Sequence, residues 1–118
     1  MTGRLRRGYW HSAGVIALEP DADEKAWMAE VIRTAEQLGW HRYYHTFDSR
    51  RSPAGFLDLV LLRPPRLVFA ELKVGDGRVT KDQAGWIADL RACGLEVYVW
   101  RPADRPQVDA ILASRRRP

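Results

Sequence analysis

The chain has 118 residues, enough for one domain of ordinary size and too few for two. Its 46% hydrophobic content and five Trp exclude a disordered chain, and no apolar run approaches the roughly 20 residues that span a bilayer, so no membrane role is expected. Formal net charge is +4, and of 19 basic residues only Lys25, Lys73 and Lys81 are lysine; an arginine surface suits bidentate contact with phosphate oxygens, although an arginine-biased composition also arises without any function.

Residues 1–22 begin basic like a signal peptide, but His11 and Gly14 break the apolar part and Glu19 ends it, which predicts a short N-terminal arm. The single cysteine, Cys93, permits no internal disulfide and fits a reducing bacterial or phage-infected cytosol. Its neighbours Leu90, Ala92 and Leu95 place it in the expected core. Residues 23–113 form the expected domain and 114–118 a basic tail with Arg115, Arg116 and Arg117.

From Asp23 to Gly39 apolar residues recur at helical spacing, with Asp21 or Asp23 as cap and Gly39 as stop. Trp27, Val31, Ala35 and Leu38 fall on one stripe, and Glu24 projects onto its centre, so Glu24 is expected to face the sheet. Residues 40–47 are aromatic and suit a strand, in which Tyr44 and His45 point to opposite sides, one packed inside and one near the cleft; the alternation does not say which. A polar loop with Ser49, Arg50, Arg51 and Ser52 follows. Residues 56–62 and 67–74 read as two strands joined through Arg63-Pro64-Pro65-Arg66. Residues 80–91 read as a second helix opened by a Thr80/Gln83 capping box, residues 95–100 as a fourth strand, and residues 106–113 as a short helix. The order α-β-β-β-α-β describes an α/β fold, a mixed sheet flanked by helices, with Trp86 and Trp100 in its core.

The two central strands each carry acid where a core should be. Folded about the Pro64–Pro65 bond, residues equidistant from the turn lie opposite each other, and Asp58 then faces Glu71. Opposed Cβ atoms lie about 4.5–5.5 Å apart, close enough for both carboxylates to hold one cation, and the period-2 rule puts Lys73 on the face of Glu71. Two such charges at an effective dielectric near 20 repel by roughly 3 kcal/mol, a cost a divalent cation removes. Oxygen ligation without a His or Cys cluster favours Mg²⁺ or Mn²⁺ over Zn²⁺, and Glu24 would add a carboxylate. The plainer alternatives are an anti-aggregation edge charge at Asp58, a surface alternation at Glu71 and Lys73, a dipole-favoured acid at Glu24 and pure capping at Gln83.

The series Gly55-Phe-Leu-Asp58-Leu, Phe69-Ala-Glu71-Leu-Lys73 and Thr80-Lys-Asp-Gln83-Ala-Gly-Trp86, with the YHTFDSRRS loop and an acidic first helix, resembles the VRR-NUC domain of the PD-(D/E)XK nuclease superfamily, over about residues 23–102. The resemblance implies a restriction-endonuclease-like fold and metal-dependent endonuclease cleavage of phosphodiester bonds. It implies Asp58, Glu71 and the Leu72 carbonyl as metal ligands, Lys73 as the residue that orients or deprotonates water, Gln83 as the glutamine on the following helix, and Glu24 as an N-terminal acid. Leu57 stands where the family usually has proline, with a slight change of strand geometry expected. A stand-alone, phage-like form would act as a C₂ homodimer on branched DNA, Holliday junctions included, with the arm around Tyr9, Trp10, Val15 and Ile16 building the interface. Ser49, Arg50, Arg51, Ser52 and His45 are the expected DNA contacts. A catalytically inactive binding subunit of the same fold and a restriction-type nuclease are the alternatives.

Overall fold

A computed structural model of the chain describes residues 20–46 and 53–118. Its elements run α1 (Pro20–Gln37), β1 (Arg42–His45), β2 (Leu59–Arg63), β3 (Arg66–Leu72), α2 (Lys81–Ala92), β4 (Glu96–Trp100), a 3₁₀ turn (Pro102–Asp104) and α3 (Arg105–Ala113). The four strands form one mixed sheet in the order β1-β2-β3-β4, antiparallel except for the parallel β3–β4 pair that α2 connects. The α/β fold expected from the sequence is the one observed. No helix among the described residues is long and apolar enough to cross a membrane.

Strand alternation divides the core in two. Leu59, Leu61, Val68, Ala70, Leu72 and Trp100 project onto one face, where Trp27, Val31 and Ala35 of α1 and Val108 and Leu112 of α3 cover them. The other face meets α2 through Val97, Phe69, Ile87 and Leu90, and Leu57 is wholly buried there. Leu57 therefore serves as a packing residue, on the chain just before β2. The predicted stripe of α1 is the buried one, but Pro20 opens the helix, as proline at a first helical position favours, so Asp21 and Asp23 lie inside the first turn and not at the cap.

Of the predicted core residues one lies outside and one at the core's margin. Cys93 is the exposed C-cap of α2: the chain reverses at Gly94 (φ +84°), which turns Leu90 and Leu95 inward and leaves Cys93 on the outside. Trp86 is only partly buried, whereas Trp100 is in the core as expected.

The end of the sheet at the β2–β3 turn is tied by arginine. The buried Arg66 donates to both carboxylate oxygens of Glu96, at 3.1 and 2.6 Å, and to the Ile111 and Ser114 carbonyls at the end of α3. Arg63 reaches the Leu38 and Leu112 carbonyls, and both guanidinium groups lie over the Trp40 ring. Burial pushes the Glu96 carboxyl up, but bonds from Arg66 and Tyr98 outweigh that and hold it below its ordinary value. Arg66→Met would leave Glu96 buried without its cation and is expected to cost about 3–5 kcal/mol. A urea midpoint unchanged by this substitution, measured by circular dichroism, would show that the pair contributes nothing.

Candidate active site

At the opposite end of the sheet the hairpin register is the one the Pro-Pro turn predicts: Leu59 pairs with Ala70, and Arg63 with Arg66. Asp58 is the next residue out, level with Glu71. The Lys73 amide donates toward β4, to the Trp100 carbonyl, so by alternation the Leu72 amide points toward β2. There it donates to Asp58 Oδ2 at 2.8 Å, the carboxylate taking a place that a backbone carbonyl would hold in a continuing ladder. The acid that interrupts the apolar run is thus the group that ends the β2–β3 ladder.

Glu71 is 1% exposed. Its Oε2 accepts from Gln83 Nε2 at 2.7 Å and lies 3.1 Å from Lys73 Nζ, while Oε1 is buried with no hydrogen-bond partner. Burial pushes the Glu71 carboxyl up to about 7, the Asp58 charge adds to the rise, and Lys73 opposes it. Asp58 is raised too, burial outweighing the Leu72 N–H and the Lys73 charge. Two carboxyls at one place, both resisting ionisation, and one orphaned buried oxygen make a site short of positive charge.

Gln83 both caps α2, as the capping box predicts, and reaches Glu71. Its Oε1 accepts from the Thr80 amide and its own amide donates to Thr80 Oγ1, which completes the capping box, while its Nε2 holds Glu71. One short side chain thereby fixes the start of α2 relative to β3.

A cleft of about 860 Å³ opens over this end of the sheet, with Asp58, Leu72 and Gln83 at its floor and Met28, His45 and Phe56 among its walls. Glu71 and Lys73 sit behind that floor, largely buried. Glu24 lines the same cleft but is exposed and does not pack on the sheet as its stripe position predicts. The reason is where the sheet ends: Trp27 Nε1 donates to the carbonyl of Trp100, the last residue of β4, so the turn of α1 before Trp27 overhangs the strand ends. Among the described residues no three His, Cys, Asp or Glu side chains come together to hold a metal ion, and Glu24 stands on the cleft wall. The Asp58 and Glu71 carboxylates, with an oxygen left unsatisfied, fit a hard divalent cation by donor type and charge.

His45 is the residue of its strand that lines the cleft; Tyr44, expected either inside or at the cleft, is 56% exposed, because β1 is an edge strand with little covering it. Ser49, Arg50, Arg51 and Ser52 lie outside the described residues, as do residues 1–19 of the expected N-terminal arm, whose last three residues belong to α1. Sequence reasoning missed the clamp on the segment before Asp58. Trp86 Nε1 donates to the Ala54 carbonyl at 3.0 Å, and the Trp86 ring meets Phe56 edge-on at 5.0 Å. Gly55, at φ +80°, lies so close to α2 that a Cβ would come within 2.6 Å of the Asp82 backbone. The glycine between two loop residues and the acid-bearing strand was its signal. Thr46 completes the segment, donating from Oγ1 to the Leu57 carbonyl.

Against known proteins, no family model and no curated sequence matches the chain. Among solved structures the chain is similar to a VRR_NUC domain protein. Identity is 19% and the TM-score 0.49, over 71% of this chain and 83% of that one. A second similar structure is Archaeoglobus fulgidus Hjc, a Holliday junction resolvase from an archaeal hyperthermophile, at 20% identity and a TM-score of 0.46, covering 69% of this chain and 67% of that one.

Proposed function

We propose that this protein is a metal-dependent endonuclease of the VRR-NUC type, acting on DNA. The observation that carries the reading is the buried Glu71, held by Lys73 and Gln83 beside Asp58 with one oxygen unpartnered at the back of an open cleft. A structural hairpin gains nothing from that arrangement, whereas metal-assisted hydrolysis of a phosphodiester makes use of it. Asp58, Glu71 and the Leu72 carbonyl are the proposed ligands of Mg²⁺ or Mn²⁺, which when bound polarises the phosphate and eases deprotonation of water. Lys73 brings a cation to the place where charge grows on the phosphate oxygens, and is the group to orient the attacking water. Gln83 keeps Glu71 in position. Glu24, on the overhanging turn, faces the cleft as a second-line acid that contacts water or substrate and not the Asp58–Glu71 pair.

The substrate we infer is branched DNA, four-way junctions included. Ser49, Arg50, Arg51 and Ser52 join His45 as phosphate contacts, since that loop leads from β1 into the Asp58 strand. Paired cuts across a junction need two sites related by a two-fold axis, so a homodimer is proposed, with the arm at Tyr9 and Trp10 supplying apolar surface. The test is incubation with linear, nicked, flapped and four-way DNA in Mg²⁺, Mn²⁺ or EDTA, with sedimentation of the same sample. Cleavage of the branched forms in metal alone, by a species of twice the 13.5 kDa chain mass, is expected. In the same binding buffer series, Arg50→Ala with Arg51→Ala is expected to reduce the salt slope by about 0.9 per lost phosphate contact on duplex. Cleavage that persists in EDTA overturns the metal mechanism, and an unchanged slope places the phosphate track elsewhere.

A further inference from the structure

Lysine is rarely buried unless it is paired, and Lys73, only 9% exposed, has Glu71 as its partner. Part of what covers it is an exposed turn and not core. Directly after Lys73 the chain leaves the sheet, Val74 packs on the core, and a turn over 74–77 closes with the Gly77 amide donating to the Val74 carbonyl at 2.9 Å. That turn lies against the lysine stem: a Cβ on Gly77 would stand 3.6 Å from Lys73 Cδ, an ordinary contact distance. Two of its four residues are glycine, and Gly75, Asp76 and Gly77 are all exposed, so the turn has little of its own to hold it in place.

The restraint comes from the neighbouring strand. Arg101, the residue after β4, donates from Nη2 to the Gly77 carbonyl at 2.7 Å and from Nη1 to the Gly75 carbonyl at 3.3 Å. Its own backbone is fixed on both sides: the Arg101 amide donates to Asp104 Oδ2 at 2.9 Å, and the Trp100 carbonyl accepts from the Lys73 amide and from Trp27 Nε1. A planar guanidinium on a fixed backbone spans two carbonyls at once. We infer that Arg101 is a positioning residue for Lys73: it pins the 74–77 turn over the lysine stem and so keeps Nζ on Glu71. Arg101 is not one of the residues that line the cleft, so its effect on the reaction runs through Lys73. The inference rests on the nuclease reading for its catalytic meaning and deepens it, because the state of this turn decides whether the site keeps its cation.

The experiment uses the scarcity of lysine. The chain has three, and Lys25 and Lys81 are exposed, so brief acetylation with an N-hydroxysuccinimide ester in EDTA, read by mass spectrometry, reports Lys73 against two internal controls. In Arg101→Ala the acetylation of Lys73 is expected to rise roughly tenfold or more over wild type, the scale of one lost charged hydrogen bond, with Lys25 and Lys81 unmoved. Arg105→Ala is the control for general loosening, since it breaks the Glu30 and Thr34 contacts that tie α3 to α1 and leaves the turn alone. An unchanged Lys73 in Arg101→Ala overturns the pin, and so does an equal rise in Arg105→Ala at an equal loss of melting temperature. In single-turnover cleavage Arg101→Ala is expected to lose rate at saturating DNA with the half-saturating concentration unchanged; a wild-type rate overturns the positioning role. Because the labelling needs neither metal nor DNA, it tests the pin even if the protein proves unable to cut DNA.

Discussion

Asp58→Asn, Glu71→Gln and Lys73→Ala are each expected to lower the rate of DNA cleavage by roughly 10²- to 10³-fold, the scale on which single electrostatic groups act in a transition state. Their effects on stability should differ, and that difference separates a catalytic from a structural role. Asn at position 58 still offers an oxygen to the Leu72 amide, so the end of the β2–β3 ladder survives. Gln at position 71 removes a buried carboxyl whose ionisation the site opposes, and the metal-free protein should hold or gain stability. Lys73→Ala takes away the cation 3.1 Å from Glu71 and should destabilise. Single-turnover cleavage beside thermal melts in EDTA reads both. A Glu71→Gln variant that melts far below wild type and still cleaves would make the acid a structural residue.

In the absence of metal, stability is expected to fall as pH rises from about 4.5 to about 7. The Glu71 carboxyl titrates at about 7 when folded and at its ordinary value of 4.5 when unfolded, so between those values the folded state holds the extra proton. Stability decreases with pH wherever the folded state binds more protons, and here the loss is complete above about 7. Across that window the effect is on the order of 3 kcal/mol, at about 1.4 kcal/mol per unit. Asp58 is shifted in the same direction and adds to it, while the depressed Glu96 works against it at lower pH. The measurement is therefore a difference, urea midpoints of wild type minus those of Glu71→Gln at several pH values in EDTA. Mg²⁺ should restore stability to wild type above pH 7, by about 2.7 kcal/mol at a hundred times its dissociation constant, and should do little for the variant. A pH profile identical in the two proteins would show that Glu71 ionises freely.

The juxtaposition of Asp58, Glu71 and Lys73 was legible in the residues because every step to it is local. A Pro-Pro turn sets where the hairpin folds, alternation sets which side chains share a face, and the observed register from Leu59–Ala70 to Arg63–Arg66 follows from the two together. The capping box of Thr80 and Gln83 and the buried stripe of α1 are local in the same sense. Chain periodicity could not say where one element stops against another. Glu24 lies on the correct helical stripe, yet the sheet ends at Trp100 beneath Trp27, so the next turn meets the cleft and not the core. Cys93 has apolar neighbours, yet the reversal at Gly94 leaves it outside. Nor does β-propensity say which strand is the edge: an aromatic run suits the middle of a sheet as well as its border, and only the order β1-β2-β3-β4 exposes Tyr43 and Tyr44. The residue types that make a two-carboxylate site were therefore present in the sequence. The burial that raises Glu71 and leaves its Oε1 without a partner belongs to the packing of α2 on β3, which only the tertiary structure decided, because burial depends on what covers a face and not on the order of residues along it.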